Sequence, residues 1–231
     1  MIGYYDYTVI LTYLSLLSAS TGIIISLNGT GHPYIGTFFL LFCGLCDAFD
    51  GRVARTKDNR TEMEKKYGIQ IDSLSDLVAF GVLPACIGAA MIRTSATLQA
   101  LFVPHHFDAY HVLQWVLFAL LILYSLAAMI RLAYFNVTEE ERQKTEKGNR
   151  KVFLGLPVTS ASLIFPAVMM LQYMLPMDLT LIYFPVALIT GILFITPIKV
   201  PKPGLKGILI MVGIGLAEFL IMLIMRIFFK H

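Results

Sequence analysis

Asp47 and Asp50 stand three residues apart in Asp47-Ala-Phe-Asp50-Gly51-Arg-Val-Ala54-Arg55. Asp72 and Asp76 stand four apart in Gly68-Ile-Gln-Ile-Asp72-Ser-Leu-Ser-Asp76. Residues three or four apart share a helix face, so each pair points one way, and two helices meeting here would present four converging acids. Both segments otherwise read as membrane helix, where a carboxylate costs roughly 2.5–3.5 kcal/mol to insert. Four carboxylates close together also repel unless protonated or neutralised, and oxygen donors of this kind suit hard divalent cations. One or two Asp near a helix end could be ordinary juxtamembrane charges; two paired sets bracketed by small residues argue for a site.

Gly51, Ala54 and Gly68 remove bulk on the acid-bearing faces, which lets a ligand or a neighbouring backbone approach. Arg55, one turn beyond Gly51, supplies a planar fork suited to phosphate. Metals, a phosphate-binding Arg and cleared backbone together point to a diphosphate substrate.

The elements that must position these groups are membrane helices. Of 231 residues, 57% are hydrophobic and 14% charged, with mean hydropathy +0.74; soluble domains carry about 25% charged residues. Met1 to Tyr7 lacks the basic start of a cleavable signal peptide. With about 20 residues needed to span, seven candidate helices emerge, at roughly 8–27, 33–56, 68–92, 110–136, 155–175, 179–197 and 205–229. The long connections are 56–68, 93–109 and a charged stretch at 137–152. Fifteen of the eighteen basic residues fall within 52–66, 131–151 and 199–206, which assigns those connections and the N-terminus to the cytoplasm. Asp47 then lies roughly a third of the membrane below the cytoplasmic boundary, counted at about 1.5 Å per residue. The third helix brings Asp76 to a similar depth, so the acids line a cavity open to cytoplasm and lipid. The expected organisation is one integral membrane catalytic unit over 1–231, all-α, with a six-helix core at about 8–197 and an additional C-terminal helix at about 205–229.

The pattern Asp-x-x-Asp-Gly-x-x-Ala-Arg, twelve residues, then Gly-x-x-x-Asp-x-x-x-Asp resembles the signature of the CDP-alcohol phosphatidyltransferase family at each of its eight fixed positions. The continuation through Phe80-Gly81-Val-Leu-Pro84-Ala85, Arg131-Leu-Ala-Tyr-Phe-Asn136 and Phe153-Leu-Gly155-Leu-Pro157 is similar to the phosphatidylserine synthase branch. The resemblance implies transfer of a phosphatidyl group from CDP-diacylglycerol to L-serine, with CMP leaving. It implies Asp47, Asp50 and Asp72 as ligands of a divalent metal, Mg²⁺ or Mn²⁺, two per subunit, and Asp76 as general base and further metal contact. Asp47, Gly51, Ala54, Arg55 and Gly68 would hold CDP-diacylglycerol. It also implies a homodimer, and no nucleic-acid partner.

Arg131, flanked by apolar residues, reads by itself as an arginine snorkelling to the interface; the resemblance makes it, with Asn136, a candidate for a carboxylate or phosphate. Lys151, Thr159 and Ser160 read as an anchor and helix-cap hydroxyls, His105 and His106 as loop residues, and Tyr4, Tyr5 and Tyr7 around Asp6 as an interfacial aromatic anchor. Cys43, Cys46 and Cys86 read as buried free thiols. The first helix carries Ser15 and Ser18 where related chains often have a Pro-Asn start, leaving its nucleotide contacts open. Two alternatives stay open: the same chemistry with glycerol 3-phosphate or an inositol phosphate as acceptor, and a divalent-cation transporter. Transport would call for acids continuing toward the far side, where these helices are apolar.

Overall fold

The structure, a computed structural model, describes residues 2–29, 32–101, 107–145, 152–175 and 178–228. His105, His106, Arg150 and Lys151 lie outside them.

Apolar helices dominate: α1 (Ile10–Leu27), α2 (Pro33–Ala54), α3 (Glu62–Asp76), α4 (Leu83–Thr94), α5 (Ala96–Leu101), α6 (Phe107–Thr145), α7 (Ala161–Met174), α8 (Thr180–Ile195) and α9 (Leu205–Phe228). Among the described residues, five stretches are long and apolar enough to cross a membrane: α1, α2, the continuous run from α3 through α4, most of α6, and α9. Together with large lipid-type side chains left exposed, such as Trp115, Ile122 and Ile130, this is an all-α, multi-pass membrane bundle. The expected fifth and sixth spans exist as α7 and α8, but with 14 and 16 residues they fall short of a straight crossing. Gly155 and the prolines at 157 and 197 set their cytoplasm-assigned ends.

Local chemistry explains several boundaries. Pro33 opens α2 where its missing N–H is no loss, with His32 Nδ1 accepting from the Tyr34 N–H at 3.2 Å. The third helix starts at Glu62 rather than Gly68, because Thr61 and Glu64 close a capping box, each side chain satisfying the other residue's backbone N–H. Residues 137–145 are the end of α6, not a connection. At 39 residues α6 is about 58 Å long, well beyond the membrane core. Its charges pair at helical spacing, Arg142 with Glu139 at 2.7 Å and Lys144 with Glu140 at 3.3 Å.

Between α3 and α4 the helix widens into a π-helical turn, Leu77–Val82. Pro84 is the cause: it has no N–H for the carbonyl of Phe80 and its ring crowds that carbonyl. The donors come from α6 instead. The Tyr124 hydroxyl donates to Phe80 O at 2.5 Å and Ser125 Oγ to Gly81 O at 2.9 Å, while Tyr183 of α8 donates to Pro84 O at 2.7 Å. Tyr124 and Tyr183 belong to a buried aromatic cluster with Phe165 and Phe194.

The α1–α2 pair packs closely through small and hydroxyl residues. Ser18 Oγ donates to Phe39 O at 3.0 Å, Cys43 Sγ to Ser15 O at 3.3 Å, and Ser75 Oγ of α3 to Thr12 O at 3.2 Å. The Ser18 hydroxyl and the main-chain carbonyls of Thr12 and Ser15 thus join α1 to α2 and α3. The three cysteines are free thiols, Cys43 and Cys46 buried and Cys86 half-buried. The extra helix α9 lies against α2 and α7, where Phe219 meets Phe38 edge-on at 5.2 Å and the Tyr34 hydroxyl donates to Met222 O.

A two-stranded antiparallel ribbon had no counterpart in the sequence reading. β1 (Val152–Leu154) pairs with β2 (Lys199–Pro201), Phe153 opposite Val200. Gly155 follows at φ +80°, with Phe194 O about where a side chain would start, so only glycine fits.

Candidate active site

The facing surfaces of α2 and α3 carry the four aspartates. Asp50 and Asp76 are only 8% and 9% exposed, and Asp47 and Asp72 are half-buried. Asp47, Asp50 and Asp72 each offer a carboxylate oxygen, all within 4.8 Å of one another. That is about twice the 2.0–2.6 Å bond from oxygen to Mg²⁺ or Ca²⁺, so small side-chain rotations would close the set on one hard cation. The donor set fits a divalent metal. Asp76 stands beside this trio rather than within it, and its carboxyl group reaches that of Asp47, as that of Asp72 reaches Asp50. The Gly51 N–H donates to Asp50 Oδ1 and fixes that side chain against its own helix.

Two sequence-predicted residues from α6 arrive at the same place. Arg131 is 7% exposed and does not snorkel. Its Nε donates to Leu156 O at 3.2 Å, its guanidinium lies 4.9 Å from the Phe135 ring centroid and 5.9 Å from that of Phe153, and it acts electrostatically on Asp47 and Asp76. The motif Phe153-Leu-Gly155-Leu-Pro157 therefore supplies the wall and carbonyl that seat Arg131. Asn136 donates through Nδ2 to Ser73 Oγ at 2.6 Å, joining α6 to the acid-bearing α3.

Gly51, Ala54 and Arg55 occupy the last turn of α2 and its end. Arg55 is exposed, with its guanidinium folded back over Gly51. The Gly68 face is not empty: the guanidinium of Arg60 sits over it. Arg60 and the connection around it escaped the sequence reading, since a basic loop residue looks like any positive-inside charge. Thr159 and Ser160 form a short turn ahead of α7, Ser160 Oγ donating to Pro157 O at 2.7 Å.

The N-terminal aromatic segment is a strap over this end of the bundle. Lys57 bridges Asp6 at 2.6 Å and Glu64 at 2.9 Å, Tyr4 meets Tyr67 edge-on, and the Tyr13 and Tyr67 hydroxyls are 2.9 Å apart. Hydrogen bonds from Lys57 and Thr8 hold the Asp6 carboxyl down at about 2, and the same partnership raises the Lys57 ammonium.

The sequence model of the CDP-alcohol phosphatidyltransferase family matches residues 8–196. Three curated proteins called CDP-diacylglycerol–serine O-phosphatidyltransferase are similar to the chain. That of Saccharomyces cerevisiae is 33% identical over 155 residues, covering 63% of this chain and 48% of its own length. That of Methanocaldococcus jannaschii is 27% identical over 191 residues, covering 82% and 72%. That of Helicobacter pylori is 25% identical over 182 residues, covering 75% and 63%. The chain thus spans about half the length of the yeast relative it matches.

Proposed function

Because this chain belongs to the CDP-alcohol phosphatidyltransferase family, we propose that it transfers the phosphatidyl group of CDP-diacylglycerol to the hydroxyl of L-serine and releases CMP. The observation that carries the reading is the convergence of Asp47, Asp50 and Asp72 on one point, with Asp76 alongside.

In this reading Asp47, Asp50 and Asp72 hold divalent metal, Mg²⁺ or Mn²⁺, two ions per subunit, with Asp76 near enough to share one. When bound, the metal neutralises diphosphate charge and stabilises the attacking and leaving oxygens. Gly51, Ala54, Arg55 and Gly68, with Asp47, form the side that takes the CDP moiety. Asp76 accepts the proton of the serine hydroxyl as its oxygen attacks the phosphatidyl phosphorus. The phosphorus–oxygen bond to CMP breaks and CMP departs with the bonding electrons. Arg131, and through Ser73 also Asn136, sets the acceptor pocket, where a guanidinium suits the serine carboxylate.

The basic connections support a site that faces the cytoplasm. Residues 1–231 act as a single catalytic unit, and the protein works as a homodimer. Support for serine comes from the names of the relatives and from a buried Arg131 beside the acids.

CMP release by the purified protein in detergent with CDP-diacylglycerol and Mn²⁺ or Mg²⁺ tests this, with L-serine, glycerol 3-phosphate and inositol phosphate offered separately. We expect serine-dependent release that Asp76→Asn lowers at least about 100-fold, the smaller end of what a general base contributes. Release with a phosphorylated acceptor alone would overturn serine; no release from folded, metal-binding protein would overturn the transfer.

A further inference from the structure

Arg60 lies in the short connection between the two acid-bearing helices, and its guanidinium reaches both. Nη1 donates to Ala54 O, in the last turn of α2, at 3.4 Å; Nη2 donates to Glu64 O, in the first turn of α3, at 3.2 Å. The guanidinium rests on Gly68: a Cβ at that position would lie 2.6 Å from Nη2. The Arg60 Nε is buried with no partner. A buried unpaired donor is unfavourable, and a guanidinium in a connection whose neighbours Asp58 and Asn59 are exposed could turn to water. This placement is therefore not the one that best solvates Arg60. What it achieves is a link between main-chain carbonyls on two helices, one carrying Asp47 and Asp50, the other Asp72 and Asp76.

We propose that Arg60 is a positioning residue that clasps α2 to α3 and so sets the spacing of the two aspartate pairs, and that Gly68 is glycine because it seats the Arg60 guanidinium. The clasp acts through the acids. It rests on the phosphatidyl-transfer reading only where activity is measured; the spacing of the acids is read independently by metal binding.

The atom a Gly68 side chain would meet is the tip of a flexible chain, so Gly68→Ala displaces the guanidinium without disrupting the fold, and alanine is the better helix former. The test is a double-mutant cycle with Arg60→Ala and Gly68→Ala in the full chain in detergent. Three quantities are read: Mn²⁺ affinity by electron paramagnetic resonance without substrate, kcat and KM for CMP release, and thermal stability. Each single substitution is expected to weaken Mn²⁺ binding and to lower kcat by on the order of tenfold to a hundredfold, the scale of a 1 Å misplacement. Thermal stability of Gly68→Ala should be unchanged or higher, and Arg60→Lys, which can reach one carbonyl, should recover part of the loss. In the Arg60→Ala background, Gly68→Ala should add no more than about twofold, because the seat is already vacant.

An equal loss from Gly68→Ala in both backgrounds would overturn the proposal, because Gly68 would then act on the CDP side independently of Arg60. So would Mn²⁺ affinity and kcat that ignore Arg60→Ala. If wild type binds Mn²⁺ but releases no CMP, the transfer reading fails; the same coupling in Mn²⁺ affinity would still establish the clasp, and its absence would overturn it.

Discussion

Tyr124→Phe isolates one hydrogen bond at a position where the helix cannot repair itself. The hydroxyl donates to Phe80 O at 2.5 Å, and Phe80 and Tyr124 are 0% and 1% exposed, so water does not reach the carbonyl. The ring contacts with Phe165 at 5.3 Å and Phe194 at 5.6 Å survive in phenylalanine, so no cavity opens. Hydrogen bonds in membrane bundles average about 0.6 kcal/mol because a freed group finds another partner. Pro84 denies Phe80 that partner, so the cost should approach that of a buried unsatisfied acceptor, about 1.5–2 kcal/mol. Asp76 immediately precedes the π-helical turn, so kcat should fall roughly tenfold with less change in KM. Thermal unfolding in detergent and CMP release measure the two effects. Pro84→Ala returns an N–H to the helix, and in that background the stability cost of Tyr124→Phe should drop by at least half. An equal cost in both backgrounds would refute the account of the turn.

Three further outcomes are expected. Divalent cation should stabilise the protein, because the four acids converge in the folded state alone; saturation at 100 times Kd gives about 2.7 kcal/mol. Removing cation with a chelator should lower the unfolding temperature, and Asp50→Asn should abolish the difference. Asp6 has a depressed folded pKa, so the Lys57–Asp6 link contributes above the ordinary value of 3.8 and is lost as pH falls through about 2. Amide exchange in residues 4–9 should accelerate across that window and be fast at neutral pH in Asp6→Asn. Glu218, in the apolar helix α9, is 7% exposed and its Oε2 is buried without a partner. Glu218→Leu should raise thermal stability by on the order of 1 kcal/mol and leave CMP release unchanged; a loss of stability would show that the carboxyl is engaged.

The acids were legible because their signal is local: a spacing of three or four residues on a helix is visible in the chain, and so is the cost of a charge among apolar neighbours. The seven helices were legible for the same reason. What the sequence hid depends on contacts between distant segments. Pro84 advertises a perturbed helix, but that the helix widens into a π-helical turn depends on Tyr124, Ser125 and Tyr183 arriving with hydroxyls. Arg131 reads as an interface residue until Leu156 O and the rings of Phe135 and Phe153 are brought around it. The N-terminal strap reads as an aromatic anchor until Lys57, some fifty residues on, is placed against Asp6. The charged end of α6 misleads because polarity alone does not end a helix whose charges pair in register.

Arg60 and Arg131 both donate to main-chain carbonyls, Arg60 to those of Ala54 and Glu64, Arg131 to that of Leu156. A guanidinium is a planar fork that grips carboxylate well, and one free to swing beside four aspartates would gain by pairing with them. Such pairing would spend ligand oxygens and pull the aspartates off the point where three of them converge. Carbonyl anchoring does not depend on the charge of any aspartate, so it holds each arginine in place whether the acids are protonated, ionised or shared with a cation. A carbonyl that holds an arginine in this way takes up no carboxylate oxygen, which keeps the three converging aspartates suited to the divalent cation of the proposed transfer.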